Sequence, residues 1–413
     1  MSDLGFYRFA NAQPDEIAII DPAEKAWSRG ELLAKTNRLT HALRDFGVQE
    51  GDVVATVLPN SVEYYIAYLA CAQSGFYMVP INWHLAGPEI AYILEDSGAK
   101  AFIASGEISA MEDTCQKAVS AINFPSEACI STTPMEGFIH LDDFVNAYPD
   151  SNPENRTAGQ VMNYTSGTTG KPKGAELTHS NLAWNARITI DLFDFKKGDI
   201  GLTVLPLFHI FGQNCIMNAS IFAGITNVLL KRFEPDNVIR LIYKKKVSIF
   251  AGVPTMFWGL LNELKSFDKE KISLLKRHWR IALSGGAAMP VELLNDFEKI
   301  YEIPIFEGYG MSEASPLVTY NSPGHKRKIG SVGLPLWGVN VRVVDDQLIE
   351  VPNYEVGQII FRGHNVMKGY FNNKEATKKA IKKGWMHSGD LGYKDNEGYF
   401  FIVDRLNDVI IRG

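Results

Sequence analysis

Residues 159–179, GQVMNYTSGTTGKPKGAELTH, combine a β-prone run with a loop rich in glycine, threonine and lysine. The loop offers free backbone N–H groups, several hydroxyls and the two ammonium groups of Lys171 and Lys173. Such a loop at the end of a strand predicts a cradle for a polyphosphate. The alternative is a flexible surface loop, but such loops seldom carry two lysines beside a strand.

This loop is not a Walker A motif, whose pattern is G-x-x-x-x-G-K-[ST]. Gly170 and Lys171 are followed by Pro172, and Thr165 stands where the first glycine of that motif would fall. The hydroxyl that binds magnesium in the Walker motif is therefore missing, which disfavours a P-loop kinase.

Four further runs have the same form as GQVMNYTSG, a short β-prone segment that ends in small or polar residues: DIGLTVLPLFH, VSIFAGVP, WRIALSGG and IPIFEGYG. Helical patterns such as SRGELLAKTNRLTHALRDFG and SVEYYIAYLACAQSG alternate with strands between residues 28 and 335, which predicts an α/β fold. Because ligands of open α/β sheets bind at the carboxyl ends of the strands, we expect the five ends to converge on one site.

The sequence pattern changes after about residue 329. In GVNVRVVDD and GQIIFRG, apolar and polar residues alternate with period two, which predicts a β-rich, barrel-like subdomain. The predicted division is a first α/β subdomain over 1–160, a second over 161–328 that carries the phosphate loop, the β-rich subdomain over 329–403, and a last segment over 404–413. The apolar run in DRLNDVIIRG is still in progress at its end, so we expect a further C-terminal domain beyond this chain.

Composition limits the classes of function. The chain has 413 residues and a net charge of -6, from 41 Lys and Arg against 47 Asp and Glu, which argues against a dedicated nucleic-acid binder. The four cysteines are scattered, which predicts neither a zinc site nor a disulfide framework and favours the reducing cytoplasm. The chain shows no signal segment and no run near the ~18 apolar residues of a membrane span.

Other strand ends carry residues suited to a nucleotide. In EGYGMSEASP, Tyr309 offers an aromatic face for a base, Glu307 an acceptor for an exocyclic amine, and Glu313 a carboxylate for magnesium. In HSGDLGY, Asp390 lies in a tight turn, where a carboxylate can accept from both hydroxyls of a ribose. The plainer alternatives are a core tyrosine, a solvated glutamate at a helix start and a turn-forming aspartate.

The ordered motifs YTSGTTGKPKG, PLFHIFG, EGYGMSEASP, GQIIFRGHNVMKGYF, HSGDLGY and DRLNDVIIRG resemble the adenylate-forming superfamily of acyl-CoA synthetases, amino-acid-activating domains and luciferases. The upstream INWHLAGPEIAYILEDSGAKA resembles the fatty-acyl-CoA ligases. The resemblance implies the large N-terminal domain of that fold, with two stacked βα subdomains and a small β-barrel, and it makes residues 404–413 a hinge to the expected further domain.

It also implies a two-step reaction with ATP, Mg²⁺ and CoA. A carboxylate attacks the α-phosphate of ATP and gives an acyl-adenylate and pyrophosphate; a thiol, usually that of CoA, then displaces AMP. Lys171, His209 and Glu313 become the candidate catalytic residues, and Glu313 also the ligand of the magnesium ion.

The resemblance assigns the remaining roles by position. The residues predicted to bind the β- and γ-phosphates are Thr165, Ser166, Gly167, Thr168, Thr169, Lys171 and Lys173. Those predicted around the adenosine and α-phosphate are Glu307, Gly308, Tyr309, Ser312, Asp390 and Arg405, with Gly285, Gly286 and Ala287 against the acyl and adenine groups.

His209 bears on the identity of the acid. No His or Cys lies at ligand spacing from it, so we predict no metal there, and the resemblance makes it a gate beside the substrate carboxylate and the thiol. Amino-acid-activating relatives carry Asp at this position to pair the substrate ammonium, whereas His209 suits an apolar acid. Nearby apolar residues favour a medium- or long-chain fatty acid, although core packing is the alternative for most of them: Phe208, Phe211, Met217, Val253, Met256, Phe257 and Trp258.

Several alternatives stay open: an aryl-CoA ligase, a fatty-acyl-AMP ligase that loads a carrier protein, a luciferase-like monooxygenase and a non-catalytic adenylate-binding protein. Asn407 stands at the hinge position where the family usually has Lys or Asp. The family's C-terminal domain carries a lysine that assists adenylation, so we expect this chain to bind ATP, AMP and acyl-AMP but to turn over slowly.

Overall fold

Two large sheets and one smaller antiparallel sheet organise the protein in the computed structural model, which describes residues 5–165, 170–264 and 269–406. The strands are β1 (Ile17–Ile20), β2 (Ala26–Ser28), β3 (Val53–Val57), β4 (Tyr77–Pro80), β5 (Ala99–Ala104), β6 (Cys129–Ser131), β7 (Ile139–His140), β8 (Gln160–Thr165), β9 (Lys173–Leu177), β10 (Ile200–Thr203), β11 (Thr226–Leu229), β12 (Ile249–Gly252), β13 (Ile281–Ser284), β14 (Ile305–Gly310), β15 (Leu317–Tyr320), β16 (Leu334–Pro335), β17 (Val339–Val344), β18 (Gly357–Gly363), β19 (Gly369–Tyr370), β20 (Ile381–Lys382), β21 (Trp385–Lys394) and β22 (Phe400–Arg405).

The helices fill the connections between these strands. They are α1 (Phe6–Ala12), α2 (Arg29–Asp45), α3 (Val62–Ser74), α4 (Gly87–Ser97), α5 (Ser109–Ala121), α6 (Leu141–Val145), α7 (His179–Phe193), α8 (Ala219–Ala223), α9 (Pro235–Lys245), α10 (Pro254–Leu264), α11 (Lys269–Lys276), α12 (Val291–Tyr301) and α13 (Lys374–Ala380), with a π-helical segment at Phe211–Asn218 and 3-10 turns at Ser126–Ala128 and Ser312–Ala314. No helix of the described ranges is long and apolar enough to cross a membrane.

The α/β character predicted from the sequence is confirmed. Among the described residues, one sheet has eight strands in the order β19-β9-β8-β4-β3-β5-β6-β7, and a second has nine in the order β16-β15-β14-β13-β12-β10-β11-β1-β2. Their central strands are parallel, and β3, β4, β12 and β13 are buried along their whole length, as strands covered by helices on both faces should be.

The helix α2 shows how the local sequence sets an element. Ser28 Oγ accepts from the Glu31 backbone N–H at 3.1 Å, and Glu31 Oε2 accepts from the Ser28 N–H at 2.8 Å, which is a complete capping box. Its apolar face, with α3, α7 and the π-helical segment, joins a core that also includes strands of both large sheets, so these helices connect the two sheets.

The third sheet is antiparallel, with the order β17-β18-β21-β20 and β22 paired to β21. Sheet membership does not run in blocks along the chain: β1 and β2 belong to the nine-stranded sheet, and β19 pairs with β9 in the eight-stranded one. The boundaries at 160, 328 and 403 stay a prediction, because a sheet-based division would exchange these strands between subdomains.

Candidate functional site

The glycine-rich stretch is the connection of a β-hairpin. β8 and β9 are antiparallel, with Tyr164 opposite Gly174 and Thr165 opposite Lys173, and we call the described residues 164–165 and 170–174 the phosphate hairpin. A Walker A loop instead leads from a strand into a helix, so the topology agrees with the exclusion made from the sequence. A Cβ on Gly174 would lie 2.6 Å from Met162 Sδ, so the Met162 side chain packs directly over this glycine.

Four of the predicted phosphate ligands, Ser166, Gly167, Thr168 and Thr169, lie outside the described residues. The two lysines of the hairpin are described, and each has its ammonium above a tyrosine ring. Lys171 Nζ is 4.8 Å from the ring centre of Tyr92, and Lys173 Nζ is 4.8 Å from that of Tyr370. Both positive charges therefore lie at the edge of the hairpin where a polyphosphate is predicted.

Glu313 lies directly beside this hairpin. It occupies the 3-10 turn Ser312–Ala314 and is only 6% exposed. Its Oε1 accepts from Thr165 Oγ1 at 3.3 Å and from Tyr370 Oη at 2.7 Å. Thr165 and Glu313, predicted from motifs far apart in the sequence, thus meet at one carboxylate oxygen.

Tyr370 is a site residue that the sequence analysis missed. It follows Gly369 in the motif GQIIFRGHNVMKGYF, but a tyrosine after a glycine gives no sign of a distant carboxylate. Its hydroxyl reaches Glu313 because β19 pairs with β9, which continues from the hairpin. Burial and the Glu313 carboxylate raise the pKa of Tyr370, so its hydroxyl stays a proton donor at neutral pH.

A second carboxylate, Asp390, gathers the residues predicted around the adenosine. Tyr309 Oη donates to Asp390 Oδ2 at 2.5 Å, and Arg405 Nε lies 3.4 Å from Asp390 Oδ1. Asp390 and Arg405 are opposite each other in the β21–β22 ladder, and Tyr309 comes from the end of β14. Burial and Asp390 raise the pKa of Tyr309, which keeps the phenol protonated. The structure thus brings together three residues predicted from separate motifs.

Glu307 lies two residues before Tyr309 on β14 and therefore on the same face of the strand. It is buried, and its Oε1 accepts from the Met289 backbone N–H at 3.3 Å. Burial raises the pKa of Glu307 to about 7, despite this hydrogen bond and the charge of Arg327, which both lower it. A carboxyl in this state can exist in both protonation forms near neutral pH.

Glycines within β14 and directly after β13 allow two aromatic rings to approach the backbone closely. A Cβ on Gly308 would lie 2.2 Å from the ring of Tyr320, and one on Gly285 would lie 3.3 Å from Phe211 Cζ. Gly286 has φ +80, which favours glycine, and Ala287 after it is exposed. These positions form one continuous surface, because Ser284 pairs with Glu307 in adjacent parallel strands.

His209 lies in the connection between β10 and the π-helical segment. The Phe211 backbone N–H donates to His209 Nδ1 at 3.2 Å, so a neutral ring carries its proton on Nε2. The ring reaches solvent but is surrounded by protein on its other sides, which lowers the pKa of His209. Asn163 Nδ2 of β8 donates to the Phe208 carbonyl at 3.3 Å and ties this connection to the hairpin strand.

The apolar residues proposed for the acyl group separate into three classes of exposure. Met217 and Phe257 are completely buried in the core, and Trp258 is 62% exposed. Phe208, Val253 and Met256 are partly buried, and Phe211 packs against Gly285. The complete burial of Met217 and Phe257 fits the core-packing alternative for these two residues.

Glu313 is the carboxylate predicted to bind a magnesium ion. Within the described ranges there is no group of three or more His, Cys, Asp or Glu side chains that could hold a metal ion. Glu313 Oε2 accepts no hydrogen bond from the described residues, while Oε1 accepts two. This arrangement fits Mg²⁺, which is commonly held by one or two carboxylates, water and substrate phosphates.

Comparison with known proteins agrees with this geometry. Residues 6–371 match the family described as AMP-binding enzyme. The chain is 33% identical to a long-chain-fatty-acid–CoA ligase of Bacillus subtilis (strain 168), over 97% of this chain and 76% of that protein. It is 34% identical to a feruloyl-CoA synthase of Amycolatopsis, over 94% of this chain and 75% of that protein.

A solved structure gives the same result for the fold. The o-succinylbenzoate CoA synthetase of Bacillus subtilis, in complex with its acyl-adenylate intermediate, matches with a TM-score of 0.83 and 30% identity. The match covers 98% of this chain and 78% of that chain.

Proposed function

This chain belongs to the AMP-binding enzyme family, and we propose that it is an AMP-forming CoA ligase that activates a medium- or long-chain fatty acid. In the first step an oxygen of the fatty carboxylate attacks the α-phosphorus of ATP, and the bond from this phosphorus to pyrophosphate breaks. In the second, the sulfur of CoA attacks the acyl carbonyl, the bond to AMP breaks, and the thiol proton is released. The relatives described above are CoA ligases of different acids.

The observation that carries this proposal is the contact of Glu313 with both Thr165 and Tyr370 at the edge of the phosphate hairpin. Charge develops on the phosphates as pyrophosphate leaves. The ammonium groups of Lys171 and Lys173 belong to the hairpin and can stabilise this negative charge. Glu313 would hold Mg²⁺, which supplies charge neutralisation at the phosphates when bound.

The adenosine half would lie along β14 and the β21–β22 ladder. Asp390 is held by Tyr309 and Arg405, so its remaining lone pairs can accept from ribose hydroxyls. Glu307 and Gly308 provide the edge for the base, and Ser312 stands next to Glu313 for the α-phosphate.

His209 would stand between the two reactants. Because its pKa is lowered, the ring is neutral near pH 7, and a neutral ring does not hold the substrate carboxylate as an ion pair. Its Nε2–H is free to donate a hydrogen bond to the carboxylate before the attack. A cytoplasmic location remains a prediction from the cysteine usage.

A fatty acid is favoured over an amino acid by the residues at the strand ends. Phe211, Val253 and Met256 offer apolar surface, and His209 replaces the aspartate that would pair an ammonium. An aryl acid is the second candidate, because a feruloyl-CoA synthase is as similar as the fatty-acid ligase and because the Phe211 ring packs against Gly285 at the end of β13.

The test is mass spectrometry of the protein incubated with Mg²⁺, ATP and a panel of acids. Adenylates of octanoate to palmitate are expected, with none from amino acids. Feruloyl or benzoyl adenylates alone would replace the fatty acid with an aryl acid, and the absence of every adenylate would overturn the ligase proposal. The slow turnover expected from the sequence is checked in the same mixtures, by comparing acyl-adenylate with acyl-CoA after CoA is added.

A further inference from the structure

The helix α4 lies against the phosphate hairpin through two side chains of the motif AYILEDSG. Tyr92 and Asp96 are four residues apart and therefore lie on one face of the helix. Tyr92 Oη is 3.1 Å from the Pro172 carbonyl and 3.2 Å from Asp96 Oδ1, so its single proton is shared between two acceptors. One helix residue thus reaches the backbone of the hairpin on its β9 side.

Asp96 reaches the β8 side of the same hairpin. Tyr164 Oη donates to Asp96 Oδ2 at 2.7 Å, so this carboxylate contacts one tyrosine with each oxygen. Burial and then Asp96 raise the pKa of both Tyr92 and Tyr164, which keeps both hydroxyls protonated at neutral pH. Asp96 therefore binds β8 through Tyr164 and, through Tyr92, is connected to the Pro172 backbone after the loop.

Tyr92 also contacts one of the two lysines. Lys171 Nζ lies 4.8 Å from the centre of its ring, within the range of a cation–π interaction. The same side chain accordingly contacts the backbone at Pro172 through its hydroxyl and the ammonium of Lys171 through its face.

We propose that Tyr92, Asp96 and Tyr164 form a brace that positions both stems of the phosphate hairpin to receive the polyphosphate of ATP. This inference rests on the proposed function. Binding costs less free energy when the groups near the ligand are ordered beforehand, and the brace holds Tyr164 and the Pro172 backbone in place before ATP binds. The three are positioning residues, since none needs to touch the substrate.

The first test compares affinities for MgATP, pyrophosphate and AMP by calorimetry. Tyr92→Phe keeps the ring over Lys171 and removes only the hydroxyl, so it should weaken ATP and pyrophosphate by about 2- to 10-fold. AMP should bind as before, because it has no β- or γ-phosphate. Asp96→Ala should lose more than Asp96→Asn, since asparagine keeps one acceptor oxygen.

The matched control is Tyr148→Phe. Tyr148 Oη donates to Asp45 Oδ2 at 2.7 Å, the length of the Tyr164–Asp96 bond, and neither residue contacts the hairpin. Tyr148→Phe should leave the affinities for MgATP, pyrophosphate and AMP unchanged. Equal loss of ATP and AMP in the brace variants, or no loss of either, would overturn the proposal.

The second test needs no nucleotide. Hydrogen exchange of peptides covering residues 170–177 should be faster in Tyr92→Phe and Asp96→Ala than in the wild type or Tyr148→Phe. Unchanged exchange in both variants would also overturn the brace. A wild-type protein that binds no ATP would instead refute the proposed function, and the exchange rates would still decide whether α4 holds the hairpin.

Discussion

Glu313 and Asp390 are two nearly buried carboxylates of one site, 6% and 9% exposed, and each accepts a hydrogen bond from a tyrosine. They differ in the charge beside them. Arg405 Nε lies 3.4 Å from Asp390, whereas Glu313 has no ion-pair partner among the described residues. Its second neighbour is the neutral hydroxyl of Thr165.

The difference indicates which ligand each carboxylate suits. A buried anion without a counter-ion is costly, and a cation that arrives with the substrate offsets this cost, so Glu313 suits a metal ion bound to phosphates. Asp390 is already paired, so a second cation would gain little there, whereas neutral ribose hydroxyls can still use its lone pairs. We propose that these two similar side chains serve the two ends of one nucleotide.

Removing the charge of Glu313 should have the largest effect. Glu313→Gln keeps an acceptor for Tyr370 but not the negative charge, so adenylate formation should fall by about 10²- to 10³-fold. The Mg²⁺ concentration for half-maximal rate should rise with it. Pyrophosphate release at several Mg²⁺ concentrations measures both.

Glu176→Gln is the control for this variant. Glu176 also accepts from a tyrosine, Tyr77 Oη at 2.8 Å, but pairs with Lys368 on the far side of β9. It should leave the Mg²⁺ dependence unchanged. A Glu313→Gln protein with the wild-type Mg²⁺ dependence would contradict the assignment of the metal to this residue.

Glu307 adds a third carboxyl, which is buried and has neither a tyrosine donor nor an ion pair among the described residues. Its pKa of about 7 exceeds that of an unfolded glutamate, so the folded protein binds its proton more tightly. The stabilisation is full below about pH 4 and is lost as pH rises through about 7, by up to about 3 kcal/mol. Denaturant unfolding at pH 5 and pH 8 measures it, and Glu307→Gln should remove this part of the pH dependence; an identical slope in the variant would contradict it.

Asp390→Asn should have a moderate effect on ATP affinity, through recognition of the ribose hydroxyls. Asparagine keeps an acceptor for Tyr309 but loses the charge-assisted bonds expected to the ribose, so ATP affinity should fall about 10- to 50-fold. The wild type should prefer ATP to 2′,3′-dideoxy-ATP, and the variant should nearly lose this preference. An unchanged preference would remove Asp390 from the ribose site.

Part of the surroundings of these two carboxylates could be predicted from the sequence. Side chains suited to a nucleotide next to a strand end or turn identified Glu313, Tyr309 and Asp390, and the resemblance to the adenylate-forming superfamily added Thr165 and Arg405. The structure brings Thr165 into contact with Glu313, and Tyr309 and Arg405 into contact with Asp390. Four of the five predicted strands are neighbours in the nine-stranded sheet, and their carboxyl ends share one edge.

The partners of these residues could not be predicted from the sequence. Tyr370 reaches Glu313 only through the pairing of β19 with β9, across nearly two hundred residues of chain, and the fifth strand, β8, belongs to the other large sheet. Such contacts depend on tertiary pairing rather than on local pattern. The spacing of Tyr92 and Asp96 was visible as one helix face, but nothing in it identified the hairpin as their target.

The smallest effects are expected from Tyr370→Phe and Tyr309→Phe, which should change different quantities. Tyr370→Phe removes one of the two donors that orient Glu313, so it should raise the half-saturating Mg²⁺ concentration by about 2- to 10-fold with little change in ATP affinity at saturating Mg²⁺. Tyr309→Phe removes the donor to Asp390. It should lower the affinity for ATP by a similar factor and leave the half-saturating Mg²⁺ concentration nearly unchanged. The double variant should show both shifts together, because the two carboxylates have separate partners among the described residues. If either single variant moved both quantities equally, the carboxylates would act as one unit, and the division of the site into a metal end and a ribose end would be wrong.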